Sequence, residues 1–179
     1  YLIGWATGFR PVSAFARGEK HYLAGLGIDT WDAIQAMIEW RRADGGTFVL
    51  NCTCNWIDPD SSSAMSDQRI SVVGSAGRYD ADQKHRGMQI VTDVDGLQDA
   101  NPYFTGAWRG ETGHLGFRGY GIDSVRQFIG DVAAVRSGRV NPTDLESHRP
   151  TFDAGMVSTA VIDAVHESLR TGAVAEVGA

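Results

Sequence analysis

The sequence predicts an α+β fold: an open, mostly antiparallel β-sheet with helices packed on one face. Three observations carry this. Two runs alternate around Asp44-Gly45-Gly46, with Ile34, Ala36, Ile38 and Trp40 before it and Phe48, Leu50, Cys52, Cys54 and Trp56 after it. That is a hairpin with one apolar row. The opposite row, Gln35, Glu39, Asn51, Thr53 and Asn55, is polar, so one face only requires cover. Two long helical periods, gathered in the last third of the chain, supply that cover.

Residues Tyr1 to Gly8 read as the tail of a helix, with Leu2, Ile3 and Trp5 apolar and Gly8 placed to end it. Pro11 to Arg17 alternates as a short strand, with Val12, Ala14 and Ala16 on one side and Ser13, Phe15 and Arg17 on the other. Gly18 to Thr30 is loop-like. Asp32 to Arg42 contains good helix formers, yet its alternation and the Asp44-Gly45-Gly46 turn decide for a strand paired with Thr47 to Trp56. Pro59 to Ser66 is a polar loop. Arg69 to Val73 and Gly87 to Asp93 read as strands flanking a charged excursion through Asp80, Asp82, Lys84 and Arg86. Residues 95–119 have no clear period and are assigned a strand around Phe104 to Trp108 and a substrate-side loop.

The next helix opens in Gly119-Tyr120-Gly121-Ile122-Asp123-Ser124-Val125. Ser124 and Gln127 form a capping box, Ile122, Val125, Ile129 and Val132 a stripe with Phe128 beside it, and Gly138 the stop. The last helix has Thr151 as N-cap and Gly172 as stop. It carries two rows, Phe152-Met156-Ala160-Ala164 and Val157-Val161-Val165-Leu169. Both helices are expected to bury these stripes.

With 179 residues, the chain has the size of one domain with a sizeable core. No repeat, linker or low-complexity tract divides it. A net charge of −6 excludes the usual phosphate-backbone binder. No apolar run reaches the ~18 residues needed to span a bilayer, and no signal-peptide pattern is present. A cytoplasmic location is expected, with no nucleic-acid or membrane partner. The start at Tyr1 is read as that of a fragment. Cys52 and Cys54 lie two apart on one strand, sharing a face but too close in sequence for a relaxed disulfide. They are expected to be a reduced, packed pair, and no zinc-ligand spacing accompanies them.

Chemistry concentrates before the first terminal helix. Arg109, His114, Arg118 and Tyr120 combine guanidinium, imidazole and hydroxyl donors suited to a polyol or carboxylate, in a segment carried by a sheet. The competing reading is of surface arginines and a packed aromatic. Trp56 either stacks on a sugar ring or packs in the core, and His21 and Tyr22 share that ambiguity. Asp144, Glu146 and His148 read as solvated polar residues in a turn, and His85 and His166 as solvated too. A dinucleotide-binding turn requires G-x-G-x-x-G between strand and helix. Gly25-Leu-Gly27-Ile-Asp-Thr30 has Thr at the third glycine, and Gly74-Ser-Ala-Gly77 reads as a plain turn.

Tyr1-Leu-Ile-Gly followed by Arg10-Pro-Val-Ser-Ala, the Asp32 strand with its Asp44-Gly-Gly hairpin, Ile70-Ser-Val-Val-Gly-Ser-Ala-Gly77 and the closing helices together resemble the C-terminal domain of the Gfo/Idh/MocA oxidoreductases. The resemblance covers essentially the whole chain. It implies a single substrate-binding and oligomerisation domain over residues 1–179, in a protein that uses NAD or NADP on a sugar, polyol or related hydroxy compound. It also implies subunit association through the uncovered sheet face, where Met37, Asn51, Thr53, Asn55 and Val91 are expected. The family's nicotinamide site, catalytic lysine and Asp and His motif would lie before Tyr1. No catalytic residue is therefore assigned here, no cofactor is expected on this chain alone, and the alternative is a non-catalytic ligand-binding or association module.

Overall fold

The computed structural model describes residues 2–58, 67–82, 87–100 and 105–178. The polar loop 59–66, together with Lys84, His85, Arg86 and Phe104, lies outside the described residues. The fold is α+β, with open antiparallel sheets. The chain forms two compact units, Tyr1–Asp60 with Thr143–Ala179, and Ser61–Pro142.

The first unit contains α1 (Leu2–Thr7), β1 (Arg10–Glu19), a helical turn α2 (Tyr22–Gly25), β2 (Ala33–Arg41) and β3 (Thr47–Asn55). After a boundary turn α4 (Pro142–Leu145) come α5 (Phe152–Thr171) and β10 (Ala175–Glu176). Its sheet has the order β10-β1-β2-β3, antiparallel throughout. The expected hairpin is present, with Ile38 opposite Leu50 and Trp40 opposite Phe48. A register shift between Pro11 and Ser13 marks a bulge where proline cannot donate to the ladder.

Helix α5 lies on β1 because small residues meet there. Ala14, Ala16 and Ala164 are buried, and Ser168 is fully enclosed. The Ser168 hydroxyl accepts from the Ala16 amide at 2.9 Å and donates to the Ala173 carbonyl at 2.6 Å, tying α5 to β1 and to the approach of β10. Ile38 and Trp40 complete the core. Phe48 stacks on Trp40 at 5.7 Å between centroids, and Phe9 meets Phe48 edge-on at 4.9 Å. Thr151 caps α5 by accepting from the Ala154 amide, and Gly172 ends it at φ +74°.

Two expectations about cover change. Of the α5 stripe only Ala164 is buried, with Val161 and Val165 half-buried against the core, and Phe152 is 82% exposed. Cys52 and Cys54, on the face that α5 covers over β1, are exposed rather than packed, because the helix does not extend over this end of β3. Partial burial, and then the neighbouring Cys54, pushes the Cys52 thiol up.

The second unit holds a meander β4 (Arg69–Gly74), β5 (Gly77–Asp82), β6 (Gly87–Thr92) and β7 (Gly96–Ala100). A hairpin β8 (Thr105–Arg109) and β9 (Leu115–Gly119) then leads into α3 (Tyr120–Arg136). Gly74 pairs with Gly77 across a two-residue turn, as expected. The excursion through Asp80 and Asp82 is instead a strand, β5, and residues 96–119 contain β7 and β9 as well as β8. Val91 belongs to this sheet, not to the outer face of β1-β2-β3.

Helix α3 starts one turn before the expected box. Ser124 is inside it, bonded to the Gly121 carbonyl, while Asp123 accepts from the N-cap amide of Gly119 at 3.2 Å. At its end, Gly138 at φ +72° donates to Val135 and Arg139 to Ala134, the paired bonds of a Schellman ending. Its stripe is not buried. Phe128 is 68% exposed, and β9 is the element packed on α3 within the unit.

Candidate functional site

Four of the five site candidates fall on the β8–β9 hairpin and the residue that follows it, and the pairing determines which can act together. Residues directly opposite in an antiparallel pair share a face, and faces alternate along a strand. Arg109 is opposite Leu115, and Gly106 is opposite Arg118. Positions 106 and 109 differ by an odd number, so Arg109 and Arg118 project from opposite faces. They do not form one clamp.

Arg109 and His114 sit together at the tip. The Arg109 guanidinium donates to the Gly113 carbonyl at 2.9 Å, and the Gly110 amide donates to the His114 carbonyl at 2.9 Å. The His114 ring lies where a Cβ on Gly110 would be, its Nδ1 3.0 Å from the Thr112 hydroxyl. Both side chains are therefore held by the turn while remaining exposed. Gly113 closes the turn at φ +82°, a conformation that favours glycine.

Arg118 and Tyr120 sit at the other end, where β9 enters α3. The Arg118 Nε is 3.9 Å from Asp123, which also lies 3.8 Å from Arg126. Tyr120 is 81% exposed and not packed.

Trp56 belongs to the first unit, just past β3, and is 78% exposed, so it is not a core residue. Its position comes from a residue the sequence reading did not single out. Asp32 is buried, and its carboxylate accepts the amides of His21, Tyr22 and Leu23 at 2.7, 2.6 and 2.8 Å. Its carbonyl accepts from Trp56 at 2.9 Å. The Leu23 amide above all, then those of His21 and Tyr22 and the nearby His21 side chain, hold Asp32 below its ordinary value against the cost of burial. The buried carboxylate thus fixes the backbone beneath the exposed His21 and Tyr22, and the main-chain carbonyl of the same residue fixes that of Trp56. An Asp before an alternating strand and just after a glycine-rich loop is the signal that could have found it.

A second feature escaped the sequence because β5 was not recognised. A groove of about 620 Å³ lies on the meander, lined by Arg69, Ser71, Asp80, Asp82, Gln89 and Asp99. Its lining carboxylates are each met by a neighbouring cation or amide, Arg78 lying outside the lining. Arg69 is 3.4 Å from Asp82, Arg78 is 2.7 Å from Asp80, and Gln89 donates to Asp99 at 3.1 Å.

The glycine pairs do not form a pyrophosphate cradle. Gly25 ends α2 and Gly27 follows it at φ +79°, so these amides do not head a helix, and Gly74 and Gly77 close a hairpin. Among the described residues no three His, Cys, Asp or Glu side chains are grouped to hold a metal ion, and no helix is long and apolar enough to cross a membrane.

Two solved structures share this fold. One, described as a "putative oxidoreductase" from Thermotoga maritima, is 15% identical with a TM-score of 0.61, over 97% of this chain and 43% of that one. The other, an oxidoreductase from Sinorhizobium meliloti, is 18% identical with a TM-score of 0.67, over 96% of this chain and 48% of that one. The chain thus spans less than half the length of either. No protein-family model and no curated protein matches the sequence.

Proposed function

We propose that this chain is the substrate-binding and association part of an NAD(P)-dependent oxidoreductase of the Gfo/Idh/MocA type, acting on a sugar, polyol or related hydroxy compound. The observation that supports this most is a fold shared along nearly the whole chain with about half of two longer proteins described as oxidoreductases. In this reading the nicotinamide and the proton acceptor for the substrate hydroxyl belong to residues outside these 179, and this chain supplies hydrogen-bonding and stacking groups. Within the second unit Arg109 and His114 offer donors held by the hairpin tip; within the first unit, as a separate candidate, Trp56 offers an exposed ring over which a sugar can lie. The outer face of β1-β2-β3, with Phe15, Met37, Val49 and Thr53 in one plane, provides the association surface.

Calorimetric titration of the chain tests this reading. NADH and NADPH are expected to give no heat of binding, while one class among sugars, polyols and hydroxy acids binds and is weakened at least about tenfold by Arg109→Ala. Micromolar binding of NADH, or a ligand indifferent to Arg109, His114 and Trp56 alike, would overturn it. A second reading, a non-catalytic association module, is favoured by the opposite-facing arrangement of Arg109 and Arg118. It predicts association without binding of any of these small molecules.

A further inference from the structure

Strand β3 is the outer strand of the first unit's sheet. Among the described residues it is paired on one side only. Exposed edges are normally blunted by charge, proline, a bulge or short length. The opposite edge, β10, is two residues long. By contrast, β3 runs nine residues, Thr-Phe-Val-Leu-Asn-Cys-Thr-Cys-Asn, with no charge and no proline, and its register with β2 is unbroken.

Its outward bonding groups can be identified. Arg42 donates to the Gly46 carbonyl and Trp56 to that of Asp32, both at 2.9 Å, flanking the ladder in the same register. Antiparallel pairs alternate between bonded and non-bonded, so the even residues of β3 bond to β2. The N–H and C=O groups of Thr47, Val49, Asn51, Thr53 and Asn55 therefore point away from it.

We propose that this edge pairs with the same edge of a second copy of the chain, antiparallel and two-fold about Asn51, joining two four-stranded sheets into one of eight. In that register Val49 meets Thr53 and Thr47 meets Asn55 as bonded pairs, so the five outward residues of each copy are satisfied by about ten backbone hydrogen bonds. On the other face Leu50 meets Cys52 and Phe48 meets Cys54, which brings apolar side chains to the end of β3 that α5 leaves bare. A two-fold axis sets every charge near its own copy, and an uncharged strand has none to set there. This contact is independent of the sheet-face association proposed above.

Amide exchange on the unmodified chain tests the edge directly. The Val49, Asn51 and Thr53 amides should become protected as concentration rises, slowing about 15-fold when total chain is 100 times the dissociation constant, because about 7% then remains monomeric, while Cys52 is protected throughout. Fast exchange of the three in a chain that is dimeric by sedimentation overturns the proposal. So does protection that does not depend on concentration, which would mean that something other than a second copy covers the edge. As a second measurement, Leu50→Cys should cross-link to Cys52 of the other copy on mild oxidation, since opposed non-bonded positions lie within disulfide reach. That cross-link should persist when Met37→Arg removes the sheet-face contact. Its absence in a folded variant overturns the edge pairing and leaves the sheet-face reading standing.

Discussion

At residue scale, Asp32 and Ser168 are the polar side chains on which the first unit most depends. Three backbone amides hold the Asp32 carboxylate below its ordinary value. A lowered folded-state value means that its contribution is complete above the unfolded carboxyl value of about 4 and is lost as pH falls through the folded-state value. Asp32→Asn is therefore expected to lower the melting temperature at pH 7 and to flatten its decline below about pH 4, as read by thermal denaturation across pH. An acid limb unchanged by the substitution would count against this role. Ser168→Ala removes both a donor and the acceptor for a buried amide, which should cost about 1–3 kcal/mol in chemical denaturation. Neither role was legible from composition, because a lone Asp or Ser looks the same whether solvated or enclosed. The burial of Ser168 follows from its place one turn before Gly172, where α5 crosses β1.

At the scale of elements, the sequence was most informative where period and punctuation agreed. The β2–β3 hairpin was legible because alternation on both arms flanks Asp44-Gly45-Gly46, and that signal outweighed the helix-forming residues of Asp32 to Arg42. Thr151 and Gly172 bounded α5 for the same reason. Strand β5 was missed because no residue of Gly77–Asp82 is fully buried, so Asp80 and Asp82 occupy strand positions without apolar alternation. The start of α3 was missed because Asp123, rather than Ser124, reaches back to the N-cap amide. In the meander, a Cβ on Gly77 would lie 2.6 Å from the Val91 carbonyl oxygen, a backbone atom that cannot swing aside. Gly77→Ala is expected to separate β5 from β6 at that end and destabilise the sheet by about 1–3 kcal/mol. Faster amide exchange in β6, with β1–β3 unaffected, would show it.

At the scale of the whole molecule, the fold class was legible and the candidate site only partly so. Arg109 and His114 converge at one turn, but the alternation of β8–β9 sends Arg118 to the opposite face, which no unaligned reading of a glycine-rich segment reveals. The outer face of β1-β2-β3 leads to a further expectation. Met37 is 52% exposed on the inner strand β2. Association through that face would bring Met37→Arg near its symmetry mate in a desolvated patch, raising the dissociation constant at least tenfold by sedimentation. An unchanged constant would remove this face as the interface. The proposal that these residues serve a nicotinamide-dependent oxidoreductase is open to direct test. The most direct measurement is the absorbance of reduced nicotinamide at 340 nm, with a panel of sugars, polyols and hydroxy acids and the longest natural chain in which these residues occur. Turnover is expected on one class of hydroxy compound, reduced at least about tenfold in kcat/KM by Arg109→Ala. A natural chain that binds NAD or NADP yet turns over none of the panel, or turns it over without regard to Arg109, His114 and Trp56, would contradict it.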